Sequence, residues 1–166
     1  MNQENALQTL EAVLVEDEQA LRRATAQTLE LGGFTVHACA SAEQAVAWLH
    51  PDFAGVLVTD VRLPGRSGLE LLADVVALDA ELPVIVVTGH GDVSMAVEAM
   101  RTGAYDFLEK PFASERLLET VRRAQEKRRL VLDNRRLKAA WSNHPDMPSL
   151  IGESAPIERV RKLIRS

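Results

Sequence analysis

The sequence predicts an α/β fold, a doubly wound (βα)5 parallel sheet in the order 2-1-3-4-5, and three observations carry that expectation. Short apolar, β-branched runs alternate with amphipathic segments of about ten residues, the pattern of repeated βαβ units. Three runs, Val13-Leu14-Val15, Val56-Leu57-Val58 and Val84-Ile85-Val86-Val87, are almost wholly apolar, as strands covered on both faces are. Acidic and hydroxyl residues follow these runs directly, and the ligand crevice of an open α/β sheet lies beyond the carboxyl ends of its strands. Right-handed crossovers are the default for such a sheet.

The elements follow in order. Val13 to Val15 is the first strand and ends at Glu16 and Asp17. Ala20 to Leu31 reads as a helix closed by Gly32-Gly33. Phe34 to Ala38 is a second strand. Ser41, with Gln44 three residues on, has the capping-box pattern and opens a helix through Leu49. Val56 to Val58 ends at Thr59-Asp60, and Gly68 to Leu78 is helical, with Leu69, Leu72, Val75 and Val76 at near-helical spacing. Pro83 opens the fourth strand, which ends at Thr88-Gly89. Val93 to Thr102 is a helix stopped by Gly103, and Tyr105 to Leu108 is a fifth strand ending at Glu109-Lys110-Pro111. Ser114 caps a last helix that runs without Gly or Pro to about Trp141. At ~1.5 Å per residue it is roughly 42 Å long, too long to lie on a domain of this size, so its second half must project or pair with another copy.

Composition divides the chain. The net charge of −5 hides 17 acids against 5 bases in residues 1–109, and 10 bases against 4 acids in residues 110–141. An acidic body and a basic arm suggest two physical units. We place an α/β domain at 1–125, a coiled-coil-like linker helix at 126–142, and a linker plus the start of an unfinished domain at 143–166. A single cysteine, Cys39, excludes an internal disulfide and a zinc cluster, and reads as a small packed residue. No apolar run approaches a membrane span, and Met1 to Ala6 lacks a signal peptide's basic start, so the expected location is cytoplasmic, with no membrane partner.

Chemistry collects at the strand ends. Glu16 and Asp17 follow the first strand, Asp60 the third, Thr88 the fourth and Lys110 the fifth, and these strands are neighbours in the order 2-1-3-4-5. Taken singly, each has an ordinary reading: Asp17 a helix N-cap, Asp60 a loop residue before Leu63-Pro64-Gly65, Thr88 a strand end, Lys110 a solvated lysine. Taken together they put three carboxylates, a hydroxyl and an ammonium in one crevice. Three neighbouring carboxylates repel, and a hard divalent cation such as Mg²⁺ removes that problem. The constellation predicts a Mg²⁺-dependent phosphoryl site, with Asp60 as nucleophile, Lys110 sharing the charge of the phosphoryl oxygens and Thr88 donating a hydrogen bond to one of them.

Residues 12 to about 125 closely resemble the receiver domain of two-component response regulators. The resemblance rests on Val13 to Glu18, Val58 to Gly68 (Val-Thr-Asp-Val-Arg-Leu-Pro-Gly-Arg-Ser-Gly), Val86 to Gly91 and Gly103 to Phe112, in matching order and strand context. It implies the flavodoxin-like, CheY-like fold and a phosphoryl group passed from a sensor histidine kinase to Asp60. It also implies Mg²⁺ held by Glu16, Asp17, Asp60 and the backbone carbonyl of Arg62, a switch made of Thr88 and Phe107, a cis Lys110-Pro111 bond and slow self-dephosphorylation. The acidic pair departs from the commoner Asp-Asp, which leaves Asp17 as the direct ligand and Glu16 acting through water. Phe107 stands where Tyr is common, so its switch is a change of packing without a hydroxyl bond.

Beyond the receiver, Leu117, Leu118, Val121 and Ala124 give the last helix an apolar face for the domain. Leu130 and Leu137 then fall at d positions, with Asn134 and Trp141 at a. A solvated basic helix is the other reading of this stretch, and a nucleic-acid arm lacks interleaved aromatics. Residues 150–164 resemble the opening of the AAA+ ATPase of sigma-54-dependent, NtrC-like activators, and the whole resembles the C4-dicarboxylate transport regulators among them. That resemblance implies a homodimer through the helix after Thr88, the last strand and the linker helix, and, for the full-length protein, sigma-54 RNA polymerase and DNA as partners. The P-loop is absent, so this chain is not expected to be an enzyme. An aspartyl-phosphate phosphohydrolase is the competing class, but its second acid, two residues after the nucleophile, is Arg62 here.

Overall fold

The computed structural model describes residues 10–142. Five parallel strands form one sheet in the order β2-β1-β3-β4-β5. They are β1 (Leu10–Val15), β2 (Phe34–Cys39), β3 (Val56–Asp60), β4 (Val84–Thr88) and β5 (Asp106–Glu109). The helices are α1 (Gln19–Leu31), α2 (Ala42–Val46), α3 (Gly68–Leu78), α4 (Val93–Thr102) and α5 (Ser114–Ser142).

The apolar runs behave as double-sided strands. Val13, Val15, Leu57, Val84 and Val86 pack into one core layer with Ala42, Ala45, Leu71, Leu72, Val75 and Ala99 of α2, α3 and α4. Their strand neighbours Ala12, Leu14, Val56, Val58, Ile85 and Val87 fill the opposite layer with Leu29 of α1 and Leu117, Val121 and Ala124 of α5. Period-two alternation therefore sends successive apolar residues to two different helix layers. The register aligns Val15 with Thr59, Asp60 with Val87, and Thr88 with Glu109, so the residues past each strand emerge at one edge of the sheet.

Four local expectations are corrected. The helix after Ser41 stops at Val46 instead of Leu49. Ser41 accepts the Gln44 N–H at 3.2 Å, but Gln44 Oε1 accepts from the Ala40 N–H, so the capping box is only half formed. The complete box is on α3, where Ser67 and Glu70 each accept the other's backbone N–H. Ser114 is the first residue of α5 and not its cap, because the Leu117 N–H bonds back to the Ala113 carbonyl. The strand expected at 105–108 runs one residue later, from Asp106 to Glu109.

Compact packing in the first unit of the chain extends to Leu130, and Val131 begins a second. Within the first, Arg128 is wholly buried. Its Nε donates to the Phe53 carbonyl at 2.9 Å and its Nη2 to the Pro51 carbonyl at 2.6 Å, and Nη2 pairs with Asp79 Oδ2 at 3.0 Å. Gln125 donates to the Ala54 carbonyl at 2.9 Å. α5 is thus tied to the connections that lead into β3 and β4. The proposed linker and domain start at 143–166 lie outside the described residues.

Candidate functional site

Carboxylate oxygens of Glu16, Asp17 and Asp60 all lie within 4.8 Å of one another. The sheet creates this cluster: β1 and β3 pair directly and end level, so the residues that follow them meet. Glu16 and Asp60 are buried and Asp17 is exposed. Lys110, directly after β5 and on the amino side of the cis Lys110-Pro111 bond, puts Nζ 2.5 Å from Asp60 Oδ2 and 3.3 Å from Glu16 Oε1. Backbone donors complete the cradle. The Arg62 N–H donates to Asp60 Oδ1 at 3.0 Å, and the Glu18 N–H to Glu16 Oε2 at 3.0 Å.

The acceptor strand is backed by a close approach. A Cβ on Gly68 would stand 2.0 Å from the Asp60 carbonyl oxygen, so only glycine lets α3 begin directly behind Asp60.

Electrostatics favour a cation here. Burial pushes the Glu16 carboxyl up, and the Asp60 charge adds to that, against the Glu18 N–H and Lys110. Burial alone would lower the Lys110 ammonium, but its bond to Asp60 and the charges of Asp60 and Glu16 outweigh this and hold its pKa raised. One ammonium faces three carboxylates, which leaves two negative charges for a divalent ion. The donor set, all carboxylate oxygen, fits a hard ion such as Mg²⁺.

Thr88 and Phe107 sit beside this crevice. The Thr88 hydroxyl is buried and donates to the Leu108 carbonyl at 3.5 Å. Phe107 is 36% exposed. Both line a 440 Å³ cavity with Val93, Ala96, Val97 and Met100 of α4. Glu16, Asp17, Asp60 and Lys110 are therefore brought together as expected, while the Thr88 hydroxyl is engaged with Leu108. The Arg62 side chain leaves the site and pairs with Asp92 at 3.1 Å. Sequence reading missed Arg22, whose Nη1 donates to the Glu16 carbonyl at 2.7 Å and steadies the turn carrying both acids.

Residues 12–122 match the response regulator receiver domain. The chain belongs to that family. This receiver is 51% identical over 152 residues to the C4-dicarboxylate transport transcriptional regulatory protein DctD of Rhizobium meliloti (strain 1021), covering 92% of this chain and 33% of that protein. It is 49% identical to the protein of the same name from Pseudomonas aeruginosa (strain PAO1), covering 94% of this chain and 34% of that one. The chain thus spans about a third of the length of these curated relatives. Among solved structures, the receiver domain of NtrX from Brucella abortus superposes with a TM-score of 0.65 at 37% identity, over 69% of this chain and 98% of that one. The fold expected from the sequence, the five-stranded order included, is the fold found. Among the described residues no helix is long and apolar enough to cross a membrane.

Proposed function

We propose that Asp60 accepts a phosphoryl group from a sensor histidine kinase. A carboxylate oxygen of Asp60 attacks phosphorus, the P–N bond to the kinase imidazole breaks with its electron pair going to nitrogen, and an acyl phosphate forms. Lys110, already bonded to Asp60, holds its proton and stabilises charge on the transferring oxygens. Glu16, Asp17, Asp60 and the backbone carbonyl of Arg62 would hold Mg²⁺. When bound, that ion supplies charge neutralisation for the phosphoryl oxygens. The reading rests on one observation above the others: a buried nucleophilic carboxylate bonded to Lys110 at 2.5 Å inside a three-carboxylate cluster.

The acyl phosphate then works as a signal. It adds about −1.5 to −2 charge at Asp60. The Thr88 hydroxyl exchanges the Leu108 carbonyl for a phosphoryl oxygen, and Phe107 packs inward toward the cavity beneath α4. The face formed by α4, β5 and α5 changes its contacts with a second copy, with residues 1–125 as receiver, 126–142 as coiled linker and 143–166 leading into a further domain. In the full-length protein this controls a sigma-54-activating AAA+ ATPase acting in transcription, with C4-dicarboxylate transport genes as target. Similarity to the DctD proteins supports that last step. Radiolabel from acetyl phosphate or a phosphorylated kinase should enter the wild-type chain with Mg²⁺ and be absent from Asp60→Asn. Full labelling of that variant would overturn the assignment.

A further inference from the structure

The first turn of α4 lacks its cap although a capping residue stands there. Asp92 occupies the N-cap position, and aspartate is among the preferred residues for it. Its side chain accepts no hydrogen bond from the helix, and its backbone, at φ −89° and ψ 65°, is outside the usual extended capping conformation. Asp92 Oδ2 instead pairs with Arg62 Nη2 at 3.1 Å. Arg62 follows the phosphoacceptor by two residues, and its own N–H donates to Asp60 Oδ1. Its side chain is 73% exposed and thus free to turn, whereas the Asp92 side chain is only 17% exposed. One arginine therefore starts at the acceptor and ends on the helix that moves with the switch.

We propose that Arg62 is a positioning residue that works as an exchangeable latch. In the unphosphorylated chain it draws Asp92 off the end of α4 and leaves the first-turn N–H groups uncapped. A phosphoryl group on Asp60 offers the planar guanidinium of Arg62 more negative charge and more acceptor oxygens than the single Asp92 carboxylate does. Arg62 then turns to the phosphoryl oxygens, and Asp92 turns back to cap α4. The other ties of the loop leave the Asp92 side chain able to turn: the Gly91 N–H and His90 contact Glu109 on β5, and Asp92 itself is held through its main chain, its N–H donating to the Gly89 carbonyl at 3.0 Å. The latch couples charge at Asp60 to order at the start of α4. Its second half rests on the phosphoryl reading of Asp60, while its first half stands without it.

Amide hydrogen exchange over residues 93–97 tests both halves, on the full chain with and without Mg²⁺ and beryllofluoride. In the wild type, beryllofluoride should slow exchange there at least threefold. Arg62→Ala should show that protection before any ligand is added, since Asp92 is released. Asp92→Asn, which keeps a capping side chain and loses the pair, should match Arg62→Ala. Asp92→Ala should be fast in both conditions. Wild-type exchange in unliganded Arg62→Ala overturns the latch, and so does full protection of Asp92→Ala by beryllofluoride. Failure of the phosphoryl reading shows separately, as a wild-type chain that takes no label from acetyl phosphate.

Discussion

Asp17 is the exposed member of a trio whose other two carboxylates are buried, so its charge has two opposed effects. Without metal it repels Glu16 and Asp60. In the Mg²⁺ site proposed above it is a direct ligand. Asp17→Asn should therefore raise the stability of the metal-free chain, by about 0.5 kcal/mol, the scale of a solvent-exposed charge interaction. The same change should shrink the stabilisation by Mg²⁺, which for an intact site is about 2.7 kcal/mol at a hundredfold excess over Kd. Thermal unfolding in EDTA and in Mg²⁺ measures both, and a variant that is destabilised in EDTA would contradict the charge balance described here. These acids were legible in the sequence because each falls within two residues of the end of an apolar run, and strand order alone makes such positions neighbours. Arg22 was not legible. It sits on α1, six residues past Glu16, and its contact is to a main-chain carbonyl, which no side-chain pattern reveals.

α5 shows where element-level reading succeeds and where it stops. Its length and its inner face, Leu117, Val121 and Ala124, were visible as apolar residues at helical spacing in a stretch without Gly or Pro. Arg128 was not, because an arginine in a basic stretch reads as solvated surface, and lysine and arginine are almost never fully buried unless paired. Here the guanidinium is wholly buried against Asp79, and its Nη1 has no hydrogen-bond partner among the described residues. The residue thus belongs to the packing of the α/β unit, although the charge pattern groups it with the linker. Arg128→Ala removes the donors to two carbonyls and one partner of a buried carboxylate. Breaking such a pair is expected to destabilise by about 3 kcal/mol or more. Urea unfolding should show a lower midpoint at an unchanged slope, whereas Arg129→Ala, one residue on and exposed, should stay within about 0.5 kcal/mol of wild type.

For the molecule as a whole, the charge distribution separates two modes of self-association. Residues 1–109 are strongly acidic and residues 110–141 strongly basic. A basic helix docked on another copy's acidic body would be held by opposite charges and would weaken as salt rises. Two basic helices side by side, joined through apolar residues, repel and would tighten as salt screens them. The exposed apolar residues favour the second mode: Leu130, Leu137 and Trp141 are 54%, 70% and 49% exposed, at the heptad-like spacing read from the sequence. The acid–base pairs within the helix, Glu126 with Arg129 and Asp133 with Arg136, offset only part of the excess charge. The screening length falls from about 10 Å at 0.1 M salt to about 3 Å at 1 M, so the two modes respond in opposite directions over an accessible range. Sedimentation equilibrium across that range should give a dimer Kd that falls as salt rises. Leu130→Asp with Leu137→Asp should be monomeric at concentrations where the wild type is dimeric, with the receiver still labelled at Asp60. A Kd that rises steeply with salt would instead put the basic helix on an acidic surface, and would remove the coiled linker as the element through which a phosphoryl group on Asp60 reaches a second copy.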